Sequence, residues 1–137
     1  ISSAQTNLLI ASDDACFQGT GSGLSTLYRV NPNNAGVDEV GPIGFFGVSG
    51  MAVLGDGRLV GSANADANGD RISILIEIDP ATGAGSLIGT IGNNNLDGCG
   101  RVPDLTYDAA TDTLYGIGFR CIPGNDHGNI TELLRIN

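Results

Sequence analysis

Lysine and tryptophan are absent from the 137 residues, and histidine occurs once, at His127. Without lysine there is no Schiff-base chemistry. With one histidine, most triads and histidine metal sites are excluded. Aromatic residues make up only 5% of the chain, so a core must be built from aliphatic side chains. All six basic residues are Arg, and they face 15 acidic ones, for a net charge of −9. That field repels nucleic-acid backbones and anionic membranes. No apolar run approaches the ~20 residues of a membrane helix, so membrane insertion is not expected. No signal peptide is recognisable, which implies a removed leader or an excerpt of a longer chain. Cysteine is sparse: Cys16, Cys99 and Cys121, with no C-x-x-C. The odd count leaves one thiol unpaired within the chain, or paired between chains.

Glycine is abundant. There are 22, about twice the usual ~7% share. With only 5 Pro and no tripeptide period, the chain reads as a turn-rich, all-β domain. The clearest stretch is Leu75-Ile76-Glu77-Ile78-Asp79-Pro80, followed by Ala81-Thr82-Gly83 and a second strand to Gly92. Apolar and acidic residues alternate, which is a strand pattern. Pro80 stops the strand, and Gly83 and Gly85 allow the reversal. The pattern recurs upstream as Leu27-Tyr28-Arg29-Val30-Asn31-Pro32 and downstream as Leu133-Leu134-Arg135-Ile136-Asn137.

Ten strands are expected: 8–12, 25–31, 37–44, 50–54, 58–63, 72–79, 86–92, 102–107, 113–120 and 130–137. If four strands of a unit are lettered a to d, the chain reads c-d, a-b-c-d, a-b-c-d. Four antiparallel strands every ~40–50 residues is the pattern of a β-propeller blade. A single ten-stranded β-sandwich is the alternative, but it has no need of matching turns.

The phrase Leu-Tyr-x-Ile-Asp-Pro-x-Thr-Gly, then an Ile-Gly strand, then Leu-x-x-Asp-x-x-Thr-x-x-Leu-Tyr-Gly, resembles the repeat of secreted bacterial β-propellers. Residues 75–92 and 103–116 carry it best. Residues 27–44 depart from it, with Asn33-Asn34-Ala35-Gly36 in place of Ala-Thr-Gly. The resemblance implies one propeller-like domain over 1–137, with a partial blade at 1–36 and blades at 37–80 and 81–137. It is specific for fold and not for activity. Two and a half blades do not close a ring. The expected partners are therefore further blades of the same chain or other copies of it.

Long polar loops are expected at 13–23, 64–71, 93–101 and 121–129, all at one end of the blades. Loops gathered on a rigid scaffold are where function concentrates; simple solvation is the alternative. Asn64, Asp66, Asn68 and Asp70 resemble the start of a calcium loop, with Gly69 at a turn position. Leu75 stands where a bidentate Glu would close such a site, so Ca²⁺ is the only cofactor expected, and weakly bound.

Catalytic motifs are thin. Ser49 in Gly47-Val48-Ser49-Gly50-Met51 lacks the last Gly of a nucleophile elbow. Ser22 sits in a glycine-rich tip, and His127 in an expected loop. A quinone-cofactor propeller would be expected to carry Trp docking residues, which this chain lacks. Asn129-Ile130-Thr131 fits a glycosylation acceptor and is read as coincidence. Arg29, Glu77 and Arg135 occupy one position in three d strands and are read as rim charges on edge strands.

Within the blade assignment, Cys99 and Cys121 lie in two loops at one end of one blade. Strand ends two strands apart lie roughly 10 Å from each other, which a loop can close to disulfide distance. A Cys99–Cys121 bond is expected, with Cys16 left for another partner; three reduced thiols are the alternative. The bond implies an oxidising, extracellular or periplasmic setting. The reading is an extracellular, non-catalytic module for adhesion, surface structure or self-assembly into a ring or fibre. The alternatives are a propeller hydrolase or lyase acting on a carbohydrate or lactone, and a calcium-dependent ligand-binding domain.

Overall fold

The computed structural model describes residues 8–12, 24–64, 73–91, 101–122 and 125–136. Among the described residues there are nine strands and no helix. They are β1 (Leu8–Ser12), β2 (Leu24–Val30), β3 (Val37–Val53), β4 (Leu59–Asn64), β5 (Ser73–Ile78), β6 (Gly85–Ile91), β7 (Arg101–Asp108), β8 (Thr113–Ile122) and β9 (Asn125–Ile136). The all-β, antiparallel expectation is met. The strands follow one another as hairpins, β1 to β6 in one sheet and β7 to β9 in a second.

Three features differ from the sequence reading. First, the expected strands 37–44 and 50–54 form one 17-residue strand, β3. Gly44 and Gly47 take positive φ, 82° and 56°, which lets the strand turn without breaking. Its first half pairs with β2 and its second half with β4, with a register shift between Phe46 and Gly50. Second, the pairing runs across the turns at 31–36 and 79–84: β2 pairs with β3, and β5 with β6. Third, the expected loop 121–129 is mostly strand. Cys121 lies opposite Asn129 in the β8–β9 ladder, and His127 falls on β9.

The long sheet does not lie flat. Beyond its turn, β3 carries the chain from one layer to the next. The first layer is β1, β2 and the start of β3. The second is the rest of β3 with β4 to β6. The third is β7 to β9. One buried cluster joins Leu27 and Ile43 of the first layer to Leu59, Ile74, Ile76 and Ile78 of the second. A second cluster joins Val60, Leu75 and Ile91 to Val102, Leu105 and Leu114 of the third.

Alternation along β4 and β5 explains this. Leu59 and Ile76 face one neighbour, while Val60 and Leu75 face the other. A strand apolar on both parities must be covered on both faces. This is why Ile74-Leu75-Ile76 breaks the apolar-polar alternation that Glu77 resumes.

Two buried serines tie the layers together. The amide of Val48 donates to Ser25 Oγ at 3.0 Å, and the amide of Val102 donates to Ser73 Oγ at 2.8 Å. Ser25 and Ser73 hold the same place in matched strands, two residues before Leu27 and Leu75. Each hydroxyl satisfies a backbone donor in the following layer that burial would otherwise leave unpaired.

The second and third layers touch backbone to backbone at Gly50. A Cβ there would stand 2.7 Å from Asp104 Cα and 2.8 Å from Leu105 N. Neither atom can move aside as a side-chain tip can. Gly50→Ala is therefore expected to destabilise by roughly 1–3 kcal/mol, the usual cost of overpacking. Urea unfolding checks it; an unchanged midpoint would contradict this approach of β3 to β7.

Candidate functional site

The hairpin ends carry one local design, used four times. Asn31 Oδ1 accepts the amide of Asn33 at 2.9 Å, and Asp56 Oδ1 accepts that of Arg58 at 3.0 Å. Asp79 Oδ1 accepts that of Ala81 at 2.8 Å, and Asp108 Oδ1 that of Ala110 at 3.0 Å. In two of these turns a threonine hydroxyl completes the bracket. Thr82 donates to Asp79 at 2.9 Å, and Thr111 donates to Asp108 at 2.6 Å. Asx residues favour such turns because the side chain mimics a backbone acceptor. The fifth residue of the three longer turns has positive φ: Ala35 at 54°, Gly83 at 83° and Asp112 at 50°.

Between the β3–β4 turn, the β7–β8 turn, Leu75 of β5, Ile88 of β6 and the end of β9 lies a cleft of about 660 Å³. Its floor is apolar, with Val60, Leu75, Leu114 and Ile136. Its rim is polar, with Asp56, Arg58, Tyr107, Asp112 and Arg135. Arg58 is held by Asp56 at 2.7 Å and lies 3.6 Å from Glu77. Tyr107 donates to Asp112 at 2.5 Å, which with partial burial raises the phenol above its ordinary pKa. Asp56 and Arg58 thus pair on the rim, Asp112 accepts from Tyr107, and the four floor residues are apolar.

Among the described residues, Asn64 does not line this cleft. Asn64 ends β4, its backbone paired opposite Ser73. Asp66, Asn68 and Asp70 lie outside the described residues, as do Cys16, Cys99 and Ser22. Among the described residues, no three His, Cys, Asp or Glu side chains group as a metal site. Ser49 is exposed on β3.

Glu77 does not sit on an edge strand as expected, because β5 is flanked by β4 and β6. It faces Arg58, and its equivalent Arg29 reaches the Pro80 carbonyl at 3.5 Å. The position therefore makes local polar contacts where the sequence reading placed a solvated rim.

The interlayer serines were missed at the sequence level. Their signal is a hydroxyl residue two places before the repeated Leu: Ser25-Thr26-Leu27, Ser73-Ile74-Leu75 and Thr131-Glu132-Leu133. No protein-family model matches the chain, and no curated protein matches it.

Three turn carboxylates respond to acid. Asp56 is held below the ordinary aspartate value by the Arg58 amide and then its guanidinium. Asp79 is held down by the Ala81 amide and then the Thr82 hydroxyl. Asp108 is held down by the Thr111 hydroxyl and then the Ala110 amide. A pKa lowered by folding means the charged form is favoured in the fold. The stabilisation is complete above the unfolded value of about 4 and is lost as pH falls through the lowered values. The urea midpoint is expected to drop from about pH 5 to about pH 2. It should drop less in a double variant carrying Asp79→Ala and Asp108→Ala. Parallel pH profiles would contradict this assignment.

Proposed function

We propose that this chain is a non-catalytic, propeller-type module that works through its surfaces in an extracellular setting, in adhesion, surface structure or self-assembly. Each layer is then a blade: the middle one has four strands, and its neighbours have three each. The observation that carries the reading is the middle layer, which is apolar on both faces and clasped between like layers with a repeated serine bond. Radial stacking of like sheets is what propellers do. The tight Asx turns at the hairpin ends support a rigid scaffold rather than a moving lid.

A second reading, a ligand-binding or hydrolytic propeller, draws on the cleft beside Tyr107 and Arg135. Its apolar floor and polar rim are the ordinary make-up of a small-molecule site. Calcium at Asn64, Asp66, Asn68 and Asp70 and a Cys99–Cys121 disulfide fit either reading of an extracellular module.

One experiment tests the choice: a panel of glycosides, polysaccharides and lactones, with and without millimolar Ca²⁺. Melting curves are recorded on the same samples, oxidised and reduced. The non-catalytic reading expects no turnover above blank, together with a higher melting temperature in calcium and a lower one on reduction. Turnover that disappears in Tyr107→Phe or Arg135→Ala would overturn it in favour of the enzyme. Unchanged melting would remove the calcium site and the disulfide.

A further inference from the structure

The repeat that buries two faces leaves a third face bare. Leu27 is buried against the second layer, and Leu75 lies in the cluster shared with the third. Leu133, their equivalent on β9, is 72% exposed. Directly opposite it in the ladder stands Ile117, 42% exposed. Opposed residues of an antiparallel pair share a face. Gly116, one residue away, points to Val102 and Leu105, so Ile117 and Leu133 point outward from the core.

The polar partners repeat as well. Ser25, Leu27 and Arg29 lie along one face of β2. Their counterparts on β9 are Thr131, Leu133 and Arg135, all exposed. In the first layer these positions give a buried hydroxyl acceptor, a core side chain and a donor to the Pro80 carbonyl. The third layer thus presents the counterparts of all three residues with which the first layer holds the second.

The chain also carries a face of the complementary kind. Ile76 and Ile78 of β5 receive the first layer. Their equivalents on β2 are Tyr28 and Val30, on the side of that strand opposite Leu27. Val30 pairs with Val37, which is 57% exposed, and Tyr28 with Glu39. One end face therefore bears Val37 and Glu39, and the other Leu133, Ile117 and Arg135, with Asp104 opposite Ile117. They match in apolar character, and Glu39 on one offers Arg135 on the other an opposite charge.

We propose that the open face of β7–β9 docks the outer face of β1–β3 on a second copy of this chain, head to tail. The proposal rests on the layered-module reading above. Leu133 and Ile117 cover Tyr28 and Val30 of the second copy, and Arg135 reaches its Pro32 carbonyl as Arg29 reaches that of Pro80. The two faces differ, so the contact is heterologous and leaves a free face at each end. Association then continues until a ring closes or a fibre grows.

Sedimentation velocity on the full chain, from micromolar to millimolar concentration, reads this directly. Association beyond the dimer is expected, rising with concentration. Leu133→Asp and Val37→Asp should each sediment as monomers. Mixed one to one they should give a heterodimer and nothing larger, because each retains the face the other has lost. Circular dichroism on each variant verifies folding, and Leu133→Ser replaces Leu133→Asp if the latter unfolds.

A wild-type chain that stays folded and monomeric throughout overturns the proposal. So does self-association of Val37→Asp alone, which marks a face pairing with itself. Neither result touches the non-catalytic reading, which falls only on turnover in the substrate panel.

Discussion

Burial of β4 and β5 on both faces is the constraint from which the other features follow. Leu59 and Val60, or Leu75 and Ile76, are consecutive apolar residues on strands, so they point to opposite sides. Neither side can be left to water without losing the burial of several aliphatic side chains, each contributing about 1.5–3 kcal/mol. A second sheet on one side only would leave half of this set exposed. The chain meets the demand with a sheet before and a sheet after, which makes the arrangement repetitive. With so few aromatic residues, flat aliphatic layers are also the packing available to this composition.

Close layers impose polar costs that the sequence answers locally. The amides of Val48 and Val102 are drawn into the interfaces, where an unpaired donor is costly. Serine is small enough to fit and supplies the acceptor. Gly50 allows β3 to approach β7 at backbone distance. At the hairpin ends, Asn or Asp side chains bind the turn amides, so tight reversals need few residues. The cleft beside Tyr107 lies where two of these hairpin turns, β3–β4 and β7–β8, meet above the second cluster.

Much of this was legible in the residues. Period-two alternation and Gly- and Pro-marked turns located nearly every described strand to within a few residues, and the recurrence at Leu27, Leu75 and Leu133 disclosed the repeat. What was misread has physical causes. Gly44 and Gly47 look like the ends of two strands, because glycine marks a turn and a bent strand equally well. Residues 121–129 look like a loop because Pro, Gly and Asn dominate, although the ladder continues through Cys121 and Asn129. The interlayer serines are invisible to periodicity, since a lone hydroxyl in a strand has no pattern of its own. Only the spacing to the repeated Leu betrays them. Asn64 was read as the first residue of a loop and instead closes β4, and a cation site there depends on residues 65–72, outside the described structure.

The account's central claim is that consecutive layers are joined by Ser25 and Ser73 through buried backbone amides. Amide hydrogen exchange at Val48 and Val102 tests it most directly. The account predicts that both amides exchange only with global unfolding. It also predicts that Ser73→Ala speeds exchange at Val102 while leaving Val48 unchanged. Exchange at either site as fast as in the exposed turn at Asn33 and Asn34 would contradict it.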